Sequence, residues 1–332
     1  MSDKIVLTGI KPTGTLHLGN YVGALKPLVE MSKSNTTFMF IADLHALNFM
    51  RDASALRRHT YEIAAILVAL GLDLKNAVLF RQSDIVQVPQ LSSMLMNVTP
   101  KGLMNRAHSY KAAMDKNAAA GLDADAGVNM GLYTYPILMA ADILLYNADV
   151  VPVGADQKQH VEFARDIAGY FNNIYGETFK MPLPVIGSDT GIIPGLDGRK
   201  MSKSYDNIIP LFAPSAELKK KIMRIITDSK LPEEPKDPDS STIFQLYKHF
   251  ATSDEIELFR KKFTDGGMGY GTAKTILFEK IDSCLSAPRS EYERLMSNTA
   301  ELDKILDQGA SRAQAVAAET YARVRRAMLG QI

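Results

Sequence analysis

The hexapeptide TLHLGN at residues 15–20 sets a histidine, a glycine and an asparagine just after an apolar run and just before a helical pattern. If Leu16 or His17 opens that helix, its first N–H groups lack intrahelical partners, and together with the helix dipole they attract an anion. Gly19 leaves room for a bulky ligand. His17 and Asn20 can both donate hydrogen bonds to phosphate oxygens. Upstream, GIKPTG supplies a tight turn from Pro12 and Gly14. No G-x-x-x-x-G-K-[ST] string occurs, so this is not a P-loop. Nearly two hundred residues later, PGLDGRKMSKSYDN brackets a loop with Gly195 and Gly198, and Lys200 and Lys203 flank Met201 and Ser202. A hinged loop with two lysines suits closure over a polyphosphate and neutralisation of charge on a departing pyrophosphate. Taken singly, the first motif also reads as a turn with a capping histidine and the second as a solvated turn. Paired, they specify a nucleotide site.

Elements that must position these residues follow from the patterning. KIVLTG, TTFMFIAD, NAVLFRQ and ADVVPVG read as strands and alternate with helix-period segments through about residue 190. That alternation predicts an α/β fold with a parallel sheet covered on both faces and ligands beyond the carboxyl ends of the strands. Residues 112–130, rich in Ala, Gly, Asp and Asn, interrupt the pattern as an insertion of helix and loop. Beyond residue 210 only helices are predicted: 215–227, 241–251, 253–264, 271–286, 289–309 and 311–329. The expected organisation is a Rossmann-like parallel-sheet catalytic domain at 1–210 and a C-terminal all-α domain at 211–332.

Composition narrows the class. The chain has 332 residues, enough for two cores, with 46% apolar and 23% charged residues. No apolar run reaches membrane-spanning length, so no membrane partner is expected, and MSDKIVLTGI lacks the apolar core of a secretory signal. One cysteine, Cys284, rules out an internal disulfide framework, and no Cys/His cluster has zinc spacing. A cytoplasmic location is expected and no resident metal. A net charge of +1 leaves any nucleic acid to local patches, such as the lysines of 218–230 or Arg323, Arg325 and Arg326.

With these residues in view, a resemblance emerges. HLGN at 17–20 resembles the first signature of class I aminoacyl-tRNA synthetases, and KMSKS at 200–204 the second. GIKPTG with HLGNYVGAL, YPILMAADILLY and VPVGADQKQHVEFARDIA are similar to the tryptophanyl branch. The resemblance implies activation of L-tryptophan with ATP and Mg²⁺, transfer to tRNA(Trp), and a homodimer. It also implies an insertion at about 103–147 serving the amino-acid pocket and dimer interface, and anticodon reading by 211–332. By the same carry-over, His17, Asn20, Lys200 and Lys203 are catalytic. Lys11, Pro12, Thr13, Gly19, Gly154, Asp156, Gln157, Met201, Ser202 and Ser204 join them at ATP. Leu7, His45, Tyr135, Met139, Asp142, Val151, Val153 and Gln157 hold tryptophan. Lys111 matches an additional ATP lysine of the family.

The residues of YPILMAADILLYNADV agree with this. Met139 and Asp142 project from one helix face, and a carboxylate among apolar residues needs a partner: a neighbouring side chain, or a donor-only group such as an indole N–H. Two departures stand out. Lys11 occupies a position where many bacterial members carry glutamine, and His17 one where many carry threonine. Rival readings are the tyrosyl branch, a small nucleotidyltransferase, and a non-catalytic paralogue that binds RNA or senses tryptophan.

Overall fold

The computed structural model describes residues 4–154, 158–186 and 192–330. Five parallel strands form one sheet in the order β3-β2-β1-β4-β5: β1 (Ile5–Ile10), β2 (Thr36–Ile41), β3 (Ala77–Arg81), β4 (Val150–Val153) and β5 (Leu183–Ile186). The order reverses beside β1, which places the ends of β1 and β4 at a topological switch point. Four of these strands are those expected. The fifth, LPVI, is short and carries Pro184, which cost it the look of a strand; at an edge, one proline is tolerated.

Strand alternation sends successive side chains to opposite faces. Phe38 and Phe40 with Val78 and Phe80 enter one core; Met39, Ile41 and Leu79 enter the other. Helices α5 (Gln87–Leu95), α8 (Met130–Leu145) and α9 (Lys158–Tyr175) cover the first face. On the second lie α1 (Leu18–Asn20), α2 (Lys26–Ser32) and α4 (Ala53–Ala69). Short helices α3 (Asp43–Ala46) and α6 (Lys101–Met104) fill connections, and α7 (His108–Ala119) carries the first part of the expected insertion before turns lead into α8. Among the described residues, no helix is long and apolar enough to cross a membrane.

Beyond the sheet come α10 (Ser215–Met223), α11 (Thr242–Tyr247), α12 (Ser253–Thr264), α13 (Tyr270–Ser297) and α14 (Thr299–Leu329). Two boundaries differ from the sequence reading. Breaks were expected near Pro288 and Gly309, but α13 runs through Pro288, α14 runs through Gly309, and the chain turns at Asn298 instead. The reason at Gly309 is close packing, because a Cβ built there would lie 1.8 Å from the Leu79 carbonyl oxygen of β3. Thus α14 crosses the sheet edge against bare backbone. Leu302 and Leu306 pack into the second core on one side of the crossing, and Ala313, Ala317 and Val324 into the first on the other.

Candidate active site

The first turn after β1 builds one wall of a cavity of about 1080 Å³. His17 is the N-cap of α1: its Nδ1 accepts from the Asn20 N–H at 3.3 Å, and Asn20 Oδ1 accepts from the His17 N–H at 3.1 Å. This reciprocal box is made of the two residues expected to donate to phosphate. It also sets their free groups. With Nδ1 accepting, the His17 proton resides on Nε2, and the Asn20 amide nitrogen remains a donor. Burial, reinforced by the Lys203 ammonium, drives the His17 pKa down to about 4, so the ring is neutral near pH 7.

The lysine loop meets this turn through backbone and sulfur. Leu18 N–H donates to the Ile209 carbonyl at 2.9 Å and Leu211 N–H to the Leu16 carbonyl at 3.0 Å, which stitches the segment after the loop to the helix start. Gly19 N–H donates to Met201 Sδ at 3.3 Å, and Lys203 Nζ to the Thr13 carbonyl at 3.4 Å. The loop itself is fastened by Asn207, a residue the sequence reading passed over. Asn207 Oδ1 accepts from Ser202 N–H at 2.8 Å, and its Nδ2 donates to Lys200 O at 3.1 Å and Asp197 Oδ1 at 2.7 Å. Gly195, expected to hinge, is instead clamped: a Cβ there would stand 2.4 Å from the Asn207 amide. Lys200, Ser202 and Lys203 line the cavity, as do Thr13, Gly19 and Gly154; Pro12, Met201 and Ser204 do not. Lys111 lies on α7, away from the lining. Asp156 and Gln157 fall outside the described residues.

At its other end the cavity is an apolar slot walled by Leu7, Met139, Ile143, Val151 and Val153, with His45 and Tyr135 supplying polar atoms. Tyr135 Oη lies 2.8 Å from His160 Nε2, and Ser109 Oγ donates to it at 3.4 Å. His160 went unassigned in the sequence, although its helix was quoted there. Asp142 sits behind this lining, about 1% exposed. Gln82 Nε2 bridges its Oδ1 and Oδ2 at 3.0 and 2.8 Å, and His45 Nε2 lies 3.0 Å from Oδ2. Of the two partners weighed for a buried carboxylate, the structure provides the neighbouring side chains. Burial raises the Asp142 pKa, a tendency opposed by those hydrogen bonds. Oδ1 keeps acceptor capacity, because a carboxylate offers roughly four lone-pair sites. Gln82 carried no sequence signal: directly after β3 it reaches Asp142 on α8, 60 residues away.

Across the described lining stand three lysines, three histidines and no carboxylate. A cavity with one apolar end and one cationic end suits a ligand pair that joins a large apolar side chain to phosphates.

Comparison with known proteins agrees with this geometry. Residues 2–286 match the family model of class I tRNA synthetases (W and Y). The tryptophan–tRNA ligase of Pseudomonas aeruginosa is 50% identical over 328 residues, covering 97% of this chain and 73% of that protein. The crystal structure of tryptophanyl-tRNA synthetase from Campylobacter jejuni, complexed with ADP and tryptophan, has a TM-score of 0.89 at 41% identity and covers 97% of this chain and 98% of that one. That of the synthetase from Mycoplasma pneumoniae has a TM-score of 0.80 at 30% identity, covering 99% and 98%. By its motifs, its fold and these likenesses, the chain belongs to the class I tRNA synthetases of the tryptophan and tyrosine group, within the tryptophan–tRNA ligases.

Proposed function

We infer that the chain activates L-tryptophan with ATP and transfers it to tRNA(Trp). The observation that carries this reading is the single cavity in which the histidine turn and the lysine loop meet at one end and an apolar slot lies at the other. The tryptophan carboxylate oxygen attacks the α-phosphorus of ATP; the new P–O bond forms as the bond to the β-phosphate oxygen breaks, and pyrophosphate leaves. No protein nucleophile is needed, because positioning and charge stabilisation supply the catalysis. Neutral His17 donates through Nε2, Asn20 through its amide, and Lys200 and Lys203 neutralise the leaving pyrophosphate. A terminal ribose hydroxyl of the tRNA then attacks the acyl carbon, and AMP departs.

Leu7, Met139, Val151 and Val153 pack the indole, Tyr135 meets the substrate's amino group, and Asp142 Oδ1 accepts the indole N–H beside His45. Gly154, Asp156 and Gln157 hold the ribose and the amino group. Mg²⁺ arrives on the nucleotide, because this ion keeps several waters and is usually bound through substrate phosphates and not by an all-protein cage. The enzyme works in the cytoplasm as a homodimer. Exposed Phe49 and Met130 support the latter, since they flank neighbouring positions: a Cβ on Gly131 would lie 2.4 Å from Asn48 Oδ1. Residues 1–210 form the catalytic domain, with about 103–147 shared between pocket and dimer interface, and 211–332 read the anticodon.

Pyrophosphate exchange into ATP with each of the twenty amino acids tests this reading. Tryptophan alone should stimulate exchange, with the rate reduced at least 10²-fold by Lys203→Ala, roughly the effect of removing one preorganised charge-stabilising group, and tryptophan binding weakened by Asp142→Ala. Exchange with tyrosine would place the chain in the sister branch; none at all would favour the non-catalytic paralogue.

A further inference from the structure

The register of the sheet sets Phe80, Phe40 and Gly9 directly opposite one another, in one row across β3, β2 and β1. Phe40 and Phe80 project into the core that also holds Leu7, Ile143 and Val151 of the apolar slot. The Phe80 ring occupies one side of Phe40, with centroids 6.1 Å apart, and on the other side Gly9 leaves the β1 backbone bare. Phe40 leans that way: a Cβ built on Gly9 would lie 2.4 Å from its Cζ and 2.6 Å from its Cε2. A glycine inside a strand marks such a close approach, and a cross-strand aromatic ring covers the gap. Gly9 and Phe40 both line the cavity, so the tip of this ring forms part of the sheet-side wall of the slot. The sequence reading singled out neither residue.

A pocket for an aromatic side chain discriminates partly by the space it denies. Wedged between the Phe80 ring and the β1 backbone and only 6% exposed, the Phe40 ring has no room to retreat into a close-packed core. We propose that Phe40, seated on Gly9, fixes the depth of the slot and thereby decides which substituents the ring of the amino-acid substrate can carry. The inference rests on the reading of the chain as a tryptophan-activating enzyme and deepens it, setting a steric determinant beside the hydrogen-bonding one assigned to Asp142. The two residues act as a unit. Trimming Phe40 deepens the slot, whereas a side chain at position 9 drives the ring from its seat, and with Phe80 behind it the way left open is toward the substrate.

Pyrophosphate exchange is measured with tryptophan and with tryptophans methylated at each carbon of the benzo ring, in wild type, Phe40→Leu, Gly9→Ala, the double variant and Phe38→Leu. Phe38 is the control, since its ring lies in the same core, stacked on Tyr146 at 4.7 Å, but outside the cavity lining. Phe40→Leu should raise kcat/KM for at least one methyltryptophan relative to tryptophan by about 10-fold or more, the discrimination a hydrophobic pocket draws from one methyl group. Gly9→Ala should lower kcat/KM for tryptophan by about as much, and Phe40→Leu in that background should recover most of the loss, the non-additivity of two residues in contact. Phe38→Leu should lower Tm and leave the ratio at its wild-type value. An unmoved ratio in Phe40→Leu, an equal shift in Phe38→Leu, or losses that simply add in the double variant would overturn the assignment. Absence of tryptophan-dependent exchange in wild type would overturn the proposed function along with it, whereas active variants with an unaltered methyltryptophan-to-tryptophan ratio sink the Phe40 assignment alone.

Discussion

His17 illustrates how one side chain serves structure and chemistry without conflict. Its Nδ1 satisfies an orphan donor at the helix start, and that commitment leaves Nε2 as a neutral donor facing the cavity. A protonated ring would lose the cap and stand against Lys203. The consequence is measurable. Folded, His17 titrates at about 4, against an ordinary value of 6.5, so below pH 6.5 the unfolded chain binds a proton that the folded chain refuses. Stability therefore declines as pH falls from about 6.5 to about 4, by on the order of 3 kcal/mol from this residue. An NMR titration of the ligand-free protein should place His17 near 4 and show the value rising when ATP brings anionic oxygens to Nε2. A midpoint near 6.5 in the free protein would contradict the capping geometry. The Asp142 cluster works differently: a buried carboxylate is tolerable because Gln82 and His45 meet both oxygens, and the same bonds fix its direction.

Among the elements, the helix after HLGN and the final helix depart most from a simple pattern. The first widens into a π-helical turn at Tyr21–Leu25, where the Lys26 N–H donates to the Tyr21 carbonyl. Pro27 supplies the reason, since it has no N–H to give and its ring would crowd the carbonyl four residues back. The final helix depends on Gly309. Substituting alanine puts a methyl group into the Leu79 carbonyl, and neither backbone can move without disturbing a packed sheet edge. Gly309→Ala should destabilise the protein by about 3 kcal/mol or more, at or beyond the upper range for overpacking, despite the better helix propensity of alanine. Thermal melts decide it: an unchanged or raised Tm would mean that α14 does not press on β3.

At the scale of the whole molecule, α14 ties the two cores together. It contributes apolar side chains to both faces of the sheet and covers the β3 edge. Polar contacts reinforce the join. Arg81 at the end of β3 pairs with Asp303 at 3.2 Å and Asp307 at 2.6 Å, and Arg312 donates to the carbonyls of Leu74 and Ala77 at 3.0 and 3.2 Å. Arg323, Arg325 and Arg326, the candidates for nucleic-acid contact, are all exposed, and Arg323 also donates to Asn147 and Thr320. With a shared helix, the sheet and the helical region should unfold together. Calorimetry should give one transition whose van't Hoff and calorimetric enthalpies agree; two resolved transitions would show that the cores are independent.

Much of this was written in local sequence. Four strands, the helices between them, the histidine turn and the lysine loop all depend on residues close in the chain: alternation, capping chemistry and turn composition. His17, Lys200 and Lys203 were named from such segments, and Lys11, His45 and Tyr135 from the family resemblance; all line one cavity. What local pattern could not carry was set by contacts between distant segments. Gln82 and Asn207 matter through the partners they reach across the fold; Gly195 and Gly309 matter through atoms that occupy the space of an absent Cβ. Side-chain type and spacing encode what a residue is able to do. Which carboxylate needs which amide, and which glycine must remain one, is decided only when packing brings two parts of the chain within a bond length or two of each other.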